Sequence, residues 1–224
     1  MEYTLVRSNR RTVCLQVTED AILIVRAPLH LPRTEIDRLV RDREAWIVKH
    51  RDNKKRQQAA KASFALQTGD LLSLVGRTYP LCERKGVKAG FDGTCFFVPP
   101  GLSGDERKEA VIYIYKQQAR SVLPGKADAY AKCMGLAPPK AVKVTGARTR
   151  WGSCSRQGTL NFSWRLMLAG EADIDYVVVH ELAHCKQFNH TPAFWAVVQS
   201  VLPDYKIRRK RLAAVQDKLC SEGW

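Results

Sequence analysis

His180-Glu181-Leu182-Ala183-His184 is an H-E-x-x-H pattern, and His190 follows six residues later, so three of the five histidines fall within eleven residues. Residues four apart on an α-helix lie about 40° apart around its axis, so His180 and His184 stack on one side. Their imidazoles can then reach one ion at about 2.0–2.1 Å. Glu181 lies about 100° round from His180 and about 60° from His184, beside such an ion and within reach of a water bound to it, without being a ligand itself. Catalytic zinc keeps three protein ligands and one water, and His190, across the helix end at Phe188-Asn189, completes that set. Two histidines and a glutamate beside Tyr176-Val177-Val178-Val179 are costly to bury unpaired, and a metal removes that cost. The chemistry predicted is amide hydrolysis by metal-activated water, with one zinc ion per chain and Glu181 as general base, and with no serine or cysteine nucleophile. Two other readings stand beside it. One is a nucleic-acid-associated module with structural zinc, against which Glu181 would have no purpose and four closed ligands would be expected. The other is a non-peptide zinc amidase such as a deformylase. Cys154 could be a ligand, but His190 already fills the third site, so Cys154 reads as a packed or incidental cysteine; Cys185 points about 100° away from His184 and reads as structural.

The elements that must carry these groups can be read from punctuation and periodicity. Ile174, Val177, Val178 and Leu182 give the helix over 172–188 its apolar faces, and Asp173 and Asp175 suit its positive N-terminal end. Further helices are predicted over 192–201 and 205–219. Strands are predicted over 141–144 and 159–164, joined through 148–158. Ser103 and Glu106 have capping-box spacing and open a helix through Val122, in which Pro124 should cause a kink or a break. Residues 64–100 read as short strands, with a hairpin turn at Asp92-Gly93. Pro99-Pro100-Gly101 is the expected boundary between two regions, 1–102 and 103–224. The first opens with strands over 12–17 and 21–25, followed by one long, very basic helix from an N-cap at Thr34 through Val48 into Lys54-Lys55-Arg56. The expected fold class is therefore α+β.

Composition excludes several classes. The chain has 224 residues, 45% apolar and 26% charged, which fits a globular protein with a sizeable core. Its longest aliphatic run, Ala21–Val25, is far short of the roughly 20 residues that span a bilayer, so no membrane is expected. Met1-Glu2-Tyr3 does not begin a signal peptide, and the seven cysteines are odd in number with no Cys-x-x-Cys spacing. A reducing, cytoplasmic location is the expectation. The formal net charge is +15. Ala129–Gly170 contains no acidic residue but carries Lys132, Lys140, Lys143, Arg148, Arg150, Arg156 and Arg165. Such a stretch is either a solvated face or a surface for nucleic acid or another polyanion.

Trp151-Gly152-Ser153-Cys154-Ser155, Asn161, Trp164-Arg165-Leu166, Ile174–His184, Asn189-His190, Phe194-Trp195 and Pro203-Asp204-Tyr205-Lys206 resemble the YgjP-like metallopeptidase family, most densely over 148–212. The resemblance implies a zincin-like catalytic domain, its H-E-x-x-H helix packed on a small β-sheet and preceded by an N-terminal α+β region. It also implies zinc on His180, His184 and His190, Glu181 as catalytic acid/base, a protein or peptide substrate, and kinship with SprT-like proteases. Metzincins have a glycine three residues after the second histidine; here that residue is Gln187, so their turn is not transferable. Arg148, Arg150 and Trp151 are candidates to line a cleft in which a strand pairs with extended substrate. Tyr205 and Arg208 are candidate oxyanion stabilisers, and Phe194 and Trp195 read as core.

Overall fold

The computed structural model describes residues 1–63, 65–221 and 224. They group into two compact units, residues 1–64 with 218–224, and residues 65–217. The architecture is α+β throughout. No helix among the described residues is long and apolar enough to cross a membrane.

In the first unit, strands β1 (Thr4–Ser8), β2 (Cys14–Val17) and β3 (Leu23–Pro28) form a sheet in the order β1-β3-β2. β3 runs parallel to β1 and antiparallel to β2. The expected single basic helix is two helices, α1 (Arg33–Asp42) and α2 (Glu44–Ser63). They are separated by Arg43, whose φ of −109° and ψ of 13° leave the helical region. The break lets Ile36 and Val40 from α1 and Ile47 from α2 all reach the core formed with Leu23, Val25 and Ala27.

The second unit begins with β4 (Leu71–Leu74), β5 (Arg77–Glu83), β6 (Gly90–Phe91) and β7 (Phe96–Val98), ordered β4-β5-β7-β6. The unit boundary thus precedes β4 instead of falling at Pro99-Pro100-Gly101. The reason is packing against α3 (Gly104–Cys133): Phe96 meets Tyr115 at 5.2 Å, the Tyr115 hydroxyl donates to Ser73 O at 2.7 Å, and Arg107 pairs with Glu83 at 2.5 Å. α3 opens with the Ser103/Glu106 capping box and runs unbroken through Pro124. Leu123 and Ala127 on either side are fully buried, so packing offsets the one lost backbone hydrogen bond.

The turn between β4 and β5 is Val75-Gly76, with φ of 52° and 79°, the two-residue mirror-image turn that suits a hairpin. A β-branched residue in that region is strained. The strain is held by docking: Val75 N–H donates to Met167 O at 2.8 Å, and a Cβ on Gly76 would come within 3.3 Å of Gly170 Cα. Gly170 is the residue before α4 (Glu171–Ala183), so this hairpin fixes where that helix starts.

The sheet beside α4 comprises β8 (Ala141–Thr145), β9 (Gly152–Cys154) and β10 (Thr159–Ser163), ordered β8-β10-β9. β8 and β10 are parallel, while β9 runs antiparallel to β10 and forms an edge. β9 lies inside what the sequence reads as a plain connection, because Gly152-Ser153-Cys154 has little strand propensity. A 3₁₀ helix (Trp164–Leu168) leads into α4, followed by α5 (Pro192–Val201) and α6 (Tyr205–Ser221). α4 buries Ile174, Val177, Val178, Val179, Leu182 and Ala183, so it is a central helix with no fully solvated side. Lys126 of α3 anchors its start by reaching Glu171 at 2.9 Å and Asp175 at 2.8 Å. Arg165 is buried with its guanidinium 4.4 Å over Trp164, and it donates to Gly146 O, so it leaves the basic face expected from the sequence.

Candidate metal centre

α4 ends one residue before His184, earlier than the expected helix over 172–188. His184 itself keeps helical angles, φ −64° and ψ −20°, so its stacking over His180 survives. The N–H groups of Lys186 and Gln187 both close on Ala183 O, which tightens the chain into a turn without the glycine that the related pattern uses. His184 Nδ1 lies 3.2 Å from Gln187 O, which orients the ring. The chain returns through Asn189 and Pro192 begins α5, leaving His190 facing α4.

The three imidazoles converge. One ligating nitrogen from each lies within 4.8 Å of the others, and His180 Nε2 is 3.0 Å from His190 Nε2. Phe194 underlies all three rings at 4.6–4.9 Å, and Trp195 stands 5.7 Å from His190. His180 Nδ1 is buried with no hydrogen-bond partner among the described residues. Burial, with the neighbouring His184, His190 and Arg209, holds His180 down at about 3, and burial also lowers His190. His180 and His190 are thus both shifted toward the neutral form, the one that binds a metal. A half-buried imidazole with one buried, orphaned nitrogen and a second nitrogen facing two more imidazoles fits a divalent ion well.

Glu181 is only 6% exposed. Its carboxylate accepts the Cys154 N–H of edge strand β9, and burial pushes its carboxyl up to about 7 against the pull of Arg150 and that N–H. It lies hard against Gly152, where any Cβ would come within 2.8 Å of both Cγ and Oε1. Gly152 is therefore a site residue that the sequence reading quoted only as part of a motif. Burial also pushes the Cys154 thiol up to about 12, with Cys185 and Glu181 adding to the shift. Cys154 is not among the groups gathered with the three histidines.

The other candidates divide. Arg150 is exposed and lines a cavity of about 390 Å³ with Thr145, Ser153, Asn161 and Ser163. Trp151 is half-buried, and its carbonyl accepts Ser163 N–H at 2.8 Å; Arg148 is exposed, and its carbonyl accepts from Gln216 at 3.3 Å. Tyr205 is buried and stacked on Trp195 at 5.3 Å. Arg208 is tied to Asp204 and Ala172 O, both at 2.8 Å, so it braces the start of α4 instead of stabilising an oxyanion. The arginine whose charge reaches His180 and His190 is its neighbour Arg209, with its guanidinium 5.3 Å over Trp195. The signal for it was helical spacing, since Arg209 is four residues from Tyr205 and both meet the same indole.

The model of the YgjP-like metallopeptidase domain matches residues 11–215. Among solved structures, the crystal structure of the metallopeptidase zymogen of Pyrococcus abyssi abylysin is similar at 22% identity and a TM-score of 0.39, over 42% of this chain and 93% of that one. No curated protein matches the chain.

Proposed function

Because this chain belongs to the YgjP-like metallopeptidase family, and so to the metal-dependent peptidases, we propose that it hydrolyses peptide bonds with one zinc ion held by His180, His184 and His190. A three-imidazole donor set with room for water suits zinc, which when bound supplies a Lewis acid that polarises a carbonyl and brings a water's pKa down to about 7. Glu181 is the general base, taking the proton of the attacking water and delivering it to the leaving amine. Its burial supports that role, because a carboxyl near 7 both accepts and returns a proton at neutral pH. Gly152 and the Cys154 N–H hold the carboxylate in place.

Extended substrate is proposed to lie along β9, which has β10 on one side only. Main-chain hydrogen bonds would bind the peptide there, with Arg148, Arg150 and Trp151 beside it. Arg209 supplies positive charge next to the imidazoles, where negative charge develops on the scissile oxygen.

The observation that carries this reading is the convergence of three imidazoles beside a buried carboxylate, the residue after His180. The test measures zinc by elemental analysis and cleavage of a mixed peptide library by mass spectrometry. About one zinc per chain is expected, with most of it lost in His184→Ala. Glu181→Gln should keep the zinc and the melting temperature yet lose about 10²–10⁴-fold in cleavage rate. Full zinc in His184→Ala, or undiminished cleavage by zinc-loaded Glu181→Gln, would refute the assignment.

A further inference from the structure

Among the described residues six cysteines are free thiols, and two of them meet beside the candidate metal centre. Cys154 Sγ lies 3.7 Å from Cys185 Sγ although the residues are 31 apart in sequence. Cys154 is half-buried in edge strand β9, and its N–H holds the Glu181 carboxylate. Cys185 is exposed and directly follows His184. The sequence reading treats both as packing residues, and the peptidase reaction uses neither thiol.

We propose that Cys154 and Cys185 form a hydroperoxide-oxidisable dithiol site that closes to a disulfide joining strand β9 to the turn after His184. A disulfide needs its sulfurs at about 2.05 Å, so this pair, at 3.7 Å, must approach by about 1.7 Å. The exposed Cys185 meets the oxidant first. Its thiol sulfur attacks one peroxide oxygen and the O–O bond breaks, so Cys185-SH and ROOH give Cys185-SOH and ROH. The sulfenic sulfur then takes the Cys154 sulfur; the S–OH bond breaks, the S–S bond forms, and the hydroxyl leaves as water with the Cys154 proton. Two thiols are oxidised by two electrons and one peroxide is reduced. The product would tie the strand that cradles Glu181 to the residue beside His184.

Cys82 and Cys95 are also neighbours, yet they make a poorer site. Cys95 is buried, with Arg84 at 3.5 Å and Asp92 at 3.8 Å from its sulfur. Cys14 lies in β2 and Cys133 ends α3.

The test uses the full chain, zinc-loaded and metal-free, treated with a small excess of hydrogen peroxide, alkylated, and digested with trypsin without reduction. The expected product is peptide 151–156 joined to peptide 166–186, about 2 Da lighter than the two thiol peptides together, and separated again by a thiol reductant. Cys185→Ser should abolish the joined species; Cys154→Ser is the second variant if the first does not fold. The proposal is overturned if both peptides remain alkylated, if Cys185 stops at a sulfenic or sulfinic acid, or if Cys82–Cys95 forms first. Complete protection by zinc overturns it too, since Cys154 would then be a ligand. The readout is a mass and not hydrolysis, so its failure is distinct from failure of the peptidase reading.

Discussion

Gly152→Ala is the sharpest probe of how the proposed general base is held. The backbone at 152 needs no left-handed angle, so the substitution acts only through the methyl group it adds. That methyl would sit 2.8 Å from Glu181 Cγ and Oε1 and 3.0 Å from Cδ. Ordinary carbon contacts begin near 3.5 Å, so the strand or the carboxylate must yield by about 0.7 Å. Both are confined: β9 is bonded to β10, and Glu181 is 6% exposed on a central helix. Overpacking of this kind costs about 1–3 kcal/mol, or roughly 2–12 °C in Tm for a chain of this size. Displacing a catalytic group by about 1 Å costs up to about 10²-fold in rate. The decisive assay is a double-mutant cycle in thermal unfolding, combining Gly152→Ala with Glu181→Ala. Glu181→Ala removes the atoms the methyl strikes, so Gly152→Ala should cost little in that background, giving a coupling of about 1–3 kcal/mol. Gly125→Ala is the control, because nothing lies within 4 Å of a Cβ there and the helix should gain about 0.5–1 kcal/mol. Additive costs in the cycle, or Gly152→Ala with parental Tm and cleavage rate, would refute the reasoning.

Three further expectations follow from single contacts. Arg208→Ala frees Ala172 O and Asp204 and should lower Tm, while Arg209→Ala should leave Tm within about 2 °C yet slow peptide cleavage; the reverse pattern would exchange their roles. Lys126→Ala leaves Asp175, half-buried beside it, without its cation and should destabilise by about 1–2 kcal/mol in denaturant unfolding while zinc content stays unchanged. Val75→Asn keeps the turn with a residue that tolerates positive φ and should raise stability by about 0.5–1 kcal/mol; a loss of stability would show that Val75 is held there by packing.

Much of the centre is legible in the sequence because its geometry is local. Four residues of helical spacing stack His180 over His184, and this needs no knowledge of the fold. His190 is legible through chemistry, as the third donor that the proposed zinc site needs, and the structure brings it to the other two. What escapes the sequence is everything set by tertiary packing. The helix break at Arg43 lacks a proline or glycine, and it exists so that both halves can bury apolar residues against one sheet. β9 is three residues long with a glycine at its head, too short for alternation to register. The unit boundary follows side-chain contacts of Tyr115 and Arg107 that no run of punctuation announces.

Arg208 and Arg209 show where such reading stops and why. Both are arginines on one helix, one residue apart, and composition treats them alike. A residue step on a helix is about 100°, which separates a side chain that meets the first turn of α4 from one that overlies Trp195. Tyr205 decides the matter, for it stacks on that indole and Arg209 lies on its face. The same reasoning applies to Glu181. Its place in the pattern puts it about 60° from His184, but a helix angle alone does not hold a carboxylate in a buried position. Gly152 makes room for it, the Cys154 N–H gives it a partner that favours the charged form, and burial outweighs that partner and pulls it toward neutrality, the balance that suits the proposed base to take and return a proton. A strand without propensity, placed at a sheet edge, thus accounts for how the helix can carry the proposed base.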